Sequence, residues 1–119
     1  MTRPDASAGT HLVAFTTAPT AEAARALVTA LVERRLVACG TVIPGAVSIY
    51  RWRGTLEQQE EALVVLKTTA QRWPELAAAL PDLHPYDVPE LVAVPVVGGH
   101  PAYLKWLSDE TAETGTRKE

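Results

Sequence analysis

The chain has 119 residues, 47% hydrophobic and 21% charged, with a net charge of −3, which fits one globular domain burying roughly two-thirds of its extended surface. The acidic balance, with basic residues only in small clusters such as Arg34-Arg35, argues against a nucleic-acid partner. A single cysteine, Cys39, excludes an intrachain disulfide and suits the cytoplasm, and no segment reads as a signal peptide or as the roughly 20 apolar residues of a membrane span.

Residues 1–10 lack apolar periodicity and read as a disordered tail. Residues 11–17 form a short apolar run that stops before Pro19, a first strand. Thr20 offers an N-cap and Glu22 a carboxylate in the first turn of a helix whose apolar positions are Ala24, Leu27, Val28, Leu31 and Val32. Residues 39–53 are long for a strand, and Pro44-Gly45 predicts a bulge within it. Gly54-Thr55 predicts the turn into an antiparallel partner over 57–69, giving one extended hairpin.

On that return strand Ala62, Val64 and Leu66 point to one face while Leu63 and Val65 point to the other. Both faces are apolar, so a second subunit is expected on the face the helices leave open. Trp73-Pro74-Glu75 opens a second helix ending near Pro81. Residues 91–97 form an apolar strand in which Pro95 implies an edge position, and Gly98-Gly99 ends it before a third helix starting at His100-Pro101. The order is that of an α+β, ferredoxin-like βαββαβ sandwich with an additional C-terminal helix, occupying residues 11–110 and followed by a flexible tail over 111–119.

Between the second helix and the last strand, Leu83-His84-Pro85-Tyr86-Asp87-Val88-Pro89-Glu90 sets an imidazole, a phenol and carboxylates on a segment stiffened by two prolines. A rigid connector explains it as well as a binding site does. Lys67 continues the Leu63 and Val65 face of a mostly buried strand and calls for a carboxylate or a bound anion, with Glu61 and Glu90 as the carboxylates to hand. A structural ion pair at a subunit interface is an equal reading. Cys39 and His84 are suitable donors for copper or zinc, but no Cys-x-x-Cys, His-x-His or His-x-x-x-His spacing accompanies them. The same pair as nucleophile and base lacks an oxyanion-hole glycine pattern, so a packed cysteine is the better account. Trp73, Tyr103 and Trp106 read as core or interface aromatics, and Trp52 near the hairpin turn as an exposed one.

Thr17-Ala18-Pro19, Leu36-Val37-Ala38-Cys39, Ile43-Pro44-Gly45, Tyr50-Arg51-Trp52, Leu56-Glu57-Gln58, Leu66-Lys67-Thr68, His84-Pro85-Tyr86 and Trp106-Leu107, taken in order, resemble the CutA family of divalent-cation tolerance proteins. The resemblance implies a homotrimer with long hairpins pairing across subunits. It implies a role in the response to metal ions, with no enzymatic activity. Cys39, Trp52, Glu61, Lys67, His84, Tyr86 and Glu90 match the family's pattern and are the candidate ligand-binding residues, His84 and Cys39 the candidate metal ligands. Copper-binding members place a cysteine in the first strand and two histidines before the Pro-Tyr; this chain has Thr16, Leu83 and His84 there, so one donor of three survives. Two other readings stand beside this one. A sensor of the PII type would bind a small anionic ligand in inter-subunit clefts, although no glycine-rich phosphate cradle supports it, and a purely structural assembly module would rest on the apolar hairpin.

Overall fold

The computed structural model describes residues 10–113. Of the expected tails, residues 1–9 and 114–119 lie outside the described residues. Seven elements follow in the expected order: β1 His11–Ala18, α1 Ala21–Glu33, β2 Cys39–Trp52, β3 Thr55–Thr69, α2 Trp73–Leu83, β4 Val92–Pro95 and α3 Pro101–Glu110. The strands form one antiparallel sheet ordered β2-β3-β1-β4.

Local chemistry sets most of the boundaries. Thr20 is extended, and its hydroxyl accepts the Ala23 N–H at 3.0 Å, capping α1. The helix ends where Arg35 turns to a φ of 59° and the Leu36 N–H reaches back to the Leu31 carbonyl. In β2 the pairing register shifts between Ile43 and Ala46, where Gly45 has a φ of 80°, so Pro44-Gly45 makes the expected bulge. The hairpin turn sits one residue earlier than the sequence suggests, on Arg53 and Gly54. Both have positive φ, the conformation a two-residue turn between twisted strands requires.

Two boundaries differ further. α2 runs past Pro81 to Leu83, because a proline in the last turn removes one hydrogen bond while Leu80 and Leu83 still pack against the core. β4 is shorter than residues 91–97, since β1 offers it partners only from Leu12 to Phe15.

Strand alternation divides the sheet into two unlike faces. On one, Ala14, Val64 and Leu66 pack with Leu27 and Leu31 of α1 and Leu76 and Leu80 of α2, all nearly inaccessible to solvent. On the other, Ile43, Val92 and Val94 are 44%, 52% and 48% exposed beside half-buried Phe15 and Val65. α3 covers one end of this second face, where Tyr103 meets Lys67. Beyond Ala62 strand β3 pairs with β2 alone, so residues 46–61 project as a two-stranded arm.

Candidate functional site

The proline-stiffened segment is where α2 meets the arm. His84 caps α2 in an extended conformation, as expected of a residue before proline, and is 7% exposed. Its Nε2 donates to the Thr17 carbonyl at 2.6 Å and its Nδ1 accepts the Tyr86 N–H at 3.1 Å. Those two bonds define a neutral imidazole with the proton on Nε2, and they occupy both ring nitrogens. His84 therefore anchors the loop to β1.

Tyr86, placed by that anchor, donates its hydroxyl to Glu61 Oε2 at 2.5 Å. Burial pushes the phenol well above its ordinary range, and the hydrogen bond and negative charge of Glu61 push it further. Glu61 itself is 7% exposed, lying on β3 just beyond the bulge. Between arm and loop opens a cleft of about 730 Å³. Tyr50, Trp52, Gln59 and Glu61 line its hairpin side, Tyr86, Asp87, Val88 and Glu90 its loop side, and Thr17 is also in its wall. The Tyr50 hydroxyl donates to Gln59 Oε1 at 2.7 Å, fixing that part of the hairpin wall.

Of the seven candidate residues, Trp52, Glu61, Tyr86 and Glu90 thus share one cleft, with His84 holding its loop. Cys39 and Lys67 are elsewhere. They face each other across β2 and β3 at the far end of β3 from Glu61, six positions or about 20 Å along an extended strand. Lys67 Nζ donates to the Tyr103 hydroxyl at 3.5 Å and lies 5.8 Å from that ring, while Cys39 Sγ is 3.8 Å from the same hydroxyl. The expected carboxylate partners of Lys67 are not within reach: Glu61 is turned to Tyr86, and among the described residues no ion pair includes Lys67. A hydroxyl and an aromatic face take their place, which is sufficient because the ammonium is only half-buried.

Within one chain Cys39 and His84 do not make a metal site. His84 sits against Thr17, which opposes Leu63, and Cys39 opposes Lys67 four positions further along β3; both imidazole nitrogens are engaged, and among the described residues no three His, Cys, Asp or Glu side chains are grouped as a metal would need. Sequence reasoning did not place Thr17 or Gln59 at the cleft, nor Tyr103 beside Lys67, and it offered Asp87 only as one carboxylate of the stiffened segment. The hairpin register would have found Gln59, since it opposes Ser48 two residues from Tyr50. Nothing in the sequence says which face of the sheet α3 crosses.

The family model for the CutA1 divalent ion tolerance protein matches residues 12–110. The chain is 46% identical to the divalent-cation tolerance protein CutA of Thermus thermophilus over 99 residues, covering 83% of this chain and 96% of that protein. It is 40% identical to the protein CutA of Mus musculus over 103 residues, covering 87% of this chain and 58% of the mouse protein. The crystal structure of CutA1 from Oryza sativa superimposes with a TM-score of 0.85 at 34% identity, over 88% of this chain and 96% of that one.

Proposed function

The chain belongs to the CutA1 divalent ion tolerance family, and from that premise we propose that it acts in the cytoplasm as a non-enzymatic homotrimer in the response to metal ions. Each subunit is taken as ferredoxin-like, in keeping with its element order and its β2-β3-β1-β4 sheet. The observation that carries the assembly is the second face of the sheet. Ile43, Val92 and Val94 are about half exposed on it, and a two-stranded arm of this length is marginal in water unless another surface covers it. With β2 and β4 at opposite edges of the sheet, pairing the edge of one copy to the edge of the next makes a head-to-tail contact that a ring can close.

Copper or another divalent ion is held weakly, by ligands from more than one subunit, because Cys39 and His84 lie too far apart in one chain to share an ion. The matching family model and the Thermus thermophilus relative carry divalent-ion tolerance names, which favours this reading over a PII-like sensor. The cleft that forms also has no cationic side chain in its wall to receive the anion such a sensor was expected to bind.

Native mass spectrometry after incubation with copper and zinc tests assembly and metal together. The expected spectrum is a trimer retaining metal in multiples of three, and Val94→Lys is expected to shift mass toward monomer. A monomeric wild-type protein would overturn the assembly, and a trimer that keeps no metal would overturn the binding.

A further inference from the structure

The cleft between the arm and the 84–91 loop has a one-sided chemistry. Three carboxylates line it, those of Glu61, Asp87 and Glu90, and no Lys, Arg or His does. Asp87 and Glu90 are exposed to bulk solvent, whereas Glu61, at 7% exposure, meets water only through the cleft. Its Oε2 accepts the Tyr86 hydroxyl, and among the described residues its Oε1 has no donor. A carboxylate accepts about four hydrogen bonds in water, so one held by a single neutral phenol and largely withdrawn from bulk solvent is short of protein donors and of positive charge.

Aromatic rings line the same space. Tyr50, Trp52 and Tyr86 all contribute to the wall, and the Trp52 ring already stacks a guanidinium, that of Arg53, 5.6 Å from its centre. Aromatic faces attract cations through the ring quadrupole, most strongly where water is excluded. The volume, about 730 Å³, is that of a small-molecule site and is far larger than a bare ion requires. The carboxylates are likewise not grouped as a metal would need. Aromatic walls with an under-satisfied buried carboxylate between them fit a cation that is itself partly apolar.

We propose that this cleft binds an organic cation bearing a primary or methylated alkylammonium group, with Glu61 Oε1 as its buried counter-charge. Tyr86 holds Glu61 in place, the rings of Tyr50 and Trp52 pack the alkyl carbons, and Asp87 and Glu90 attract the cation to the mouth. The site does not include Cys39, and His84 meets it only by holding its loop.

Isothermal titration calorimetry on the assembled full-length protein tests this with n-butylammonium and tetramethylammonium as probes, and with butyrate and 1-butanol as the anionic and neutral counterparts. Saturable binding of an ammonium probe at one per chain is expected, with no heat from butyrate. Glu61→Gln, which keeps an acceptor for Tyr86, should weaken binding by about tenfold or more, and the exposed Asp87→Asn by a smaller factor. Because Asp87 is in a surface loop, that variant reads the charge effect even where Glu61→Gln alters folding. Butyrate or butanol binding as tightly as the ammonium, or both variants binding as the wild type does, would overturn the proposal. So would the absence of saturable ammonium binding at millimolar concentration, the result expected when a basic side chain of a neighbouring copy already fills the cleft.

Discussion

The Tyr86 hydroxyl donates to Glu61 Oε2 at 2.5 Å, joining the loop after α2 to a hairpin position 25 residues earlier in the chain. It is the one donor that a nearly inaccessible carboxylate receives among the described residues. Tyr86→Phe removes that donor and leaves the charge in place, so it is expected to cost about 1–3 kcal/mol. Pairing it with Glu61→Leu, which removes the charge as well, should cost less than the two single changes added together. Urea unfolding of all four proteins at one fixed concentration checks this, because assembly makes the midpoint concentration-dependent. Strict additivity would show that the two side chains are not coupled.

The same pair sets an alkaline limit. Burial first, and then the hydrogen bond and charge of Glu61, hold the Tyr86 proton more tightly in the folded chain than in the unfolded one. A raised phenol adds stability that is complete below its unfolded value near 10 and is lost as the pH climbs from there toward the folded value. Of the three tyrosines, Tyr86 is expected to give the last phenolate in an ultraviolet titration, and Tyr86→Phe to remove that last step alone. Glu61→Gln should move the step only part of the way down, because burial, the larger cause, remains. Loss of an early step in Tyr86→Phe would contradict the assignment.

How much of this was legible beforehand depended on how local the signal was. Thr20, Pro44-Gly45 and His84-Pro85 act on their own neighbours in sequence, and the N-cap, the bulge and the extended exit from α2 all stand where those residues predict them. The apolar alternation of Ala62 to Leu66 gave both faces of the sheet for the same reason. Grouping Lys67 with Glu61 and Glu90 depended instead on distance, which residue types do not carry. Six positions along one strand separate Lys67 from Glu61, and the Tyr103 that meets Lys67 arrives on a helix from the far end of the chain. The Pro81 boundary failed for a related reason: a local helix-breaker was outweighed by the packing of Leu80 and Leu83.

Arg72 ties three segments together at the other end of the molecule. It is 7% exposed, its Nε and Nη2 donate to the carbonyls of Arg35 and Arg34 beyond α1, and its Nη1 reaches Glu75 of α2 and Glu113 after α3. Arg72→Met keeps much of the aliphatic stem and removes every one of those donors. Both carboxylates are more than half exposed and can return to water, so the loss falls mainly on the two carbonyls and is expected to be about 1–3 kcal/mol. Glu75→Gln should cost well under half of that, since pairs with an exposed partner contribute little. Thermal melts of both variants at equal concentration test the order, and a larger effect from Glu75→Gln would reverse the account.

At Gly40, β2 lies close against α1. A Cβ built there would lie 2.7 Å from Val28 Cγ1 and 2.9 Å from Leu66 Cδ2, and Val28 and Leu66 belong to the core against which β2 is laid. Gly40 therefore serves for its lack of a side chain, with no positive φ to require it. Gly40→Ala must push Val28 or Leu66 off its rotamer or lift the helix, at an expected cost of about 1–3 kcal/mol. Val28→Ala, which removes the nearest atom, Cγ1, and also Cγ2 at 3.0 Å, should recover part of that loss in the double variant even though it opens a small cavity when made alone. Unfolding free energies for the two single variants and the double decide it. If Gly40→Ala is neutral, α1 has room to move on the sheet. If the double variant is no better than the sum of the singles, the clash lies with Leu66 rather than with the helix.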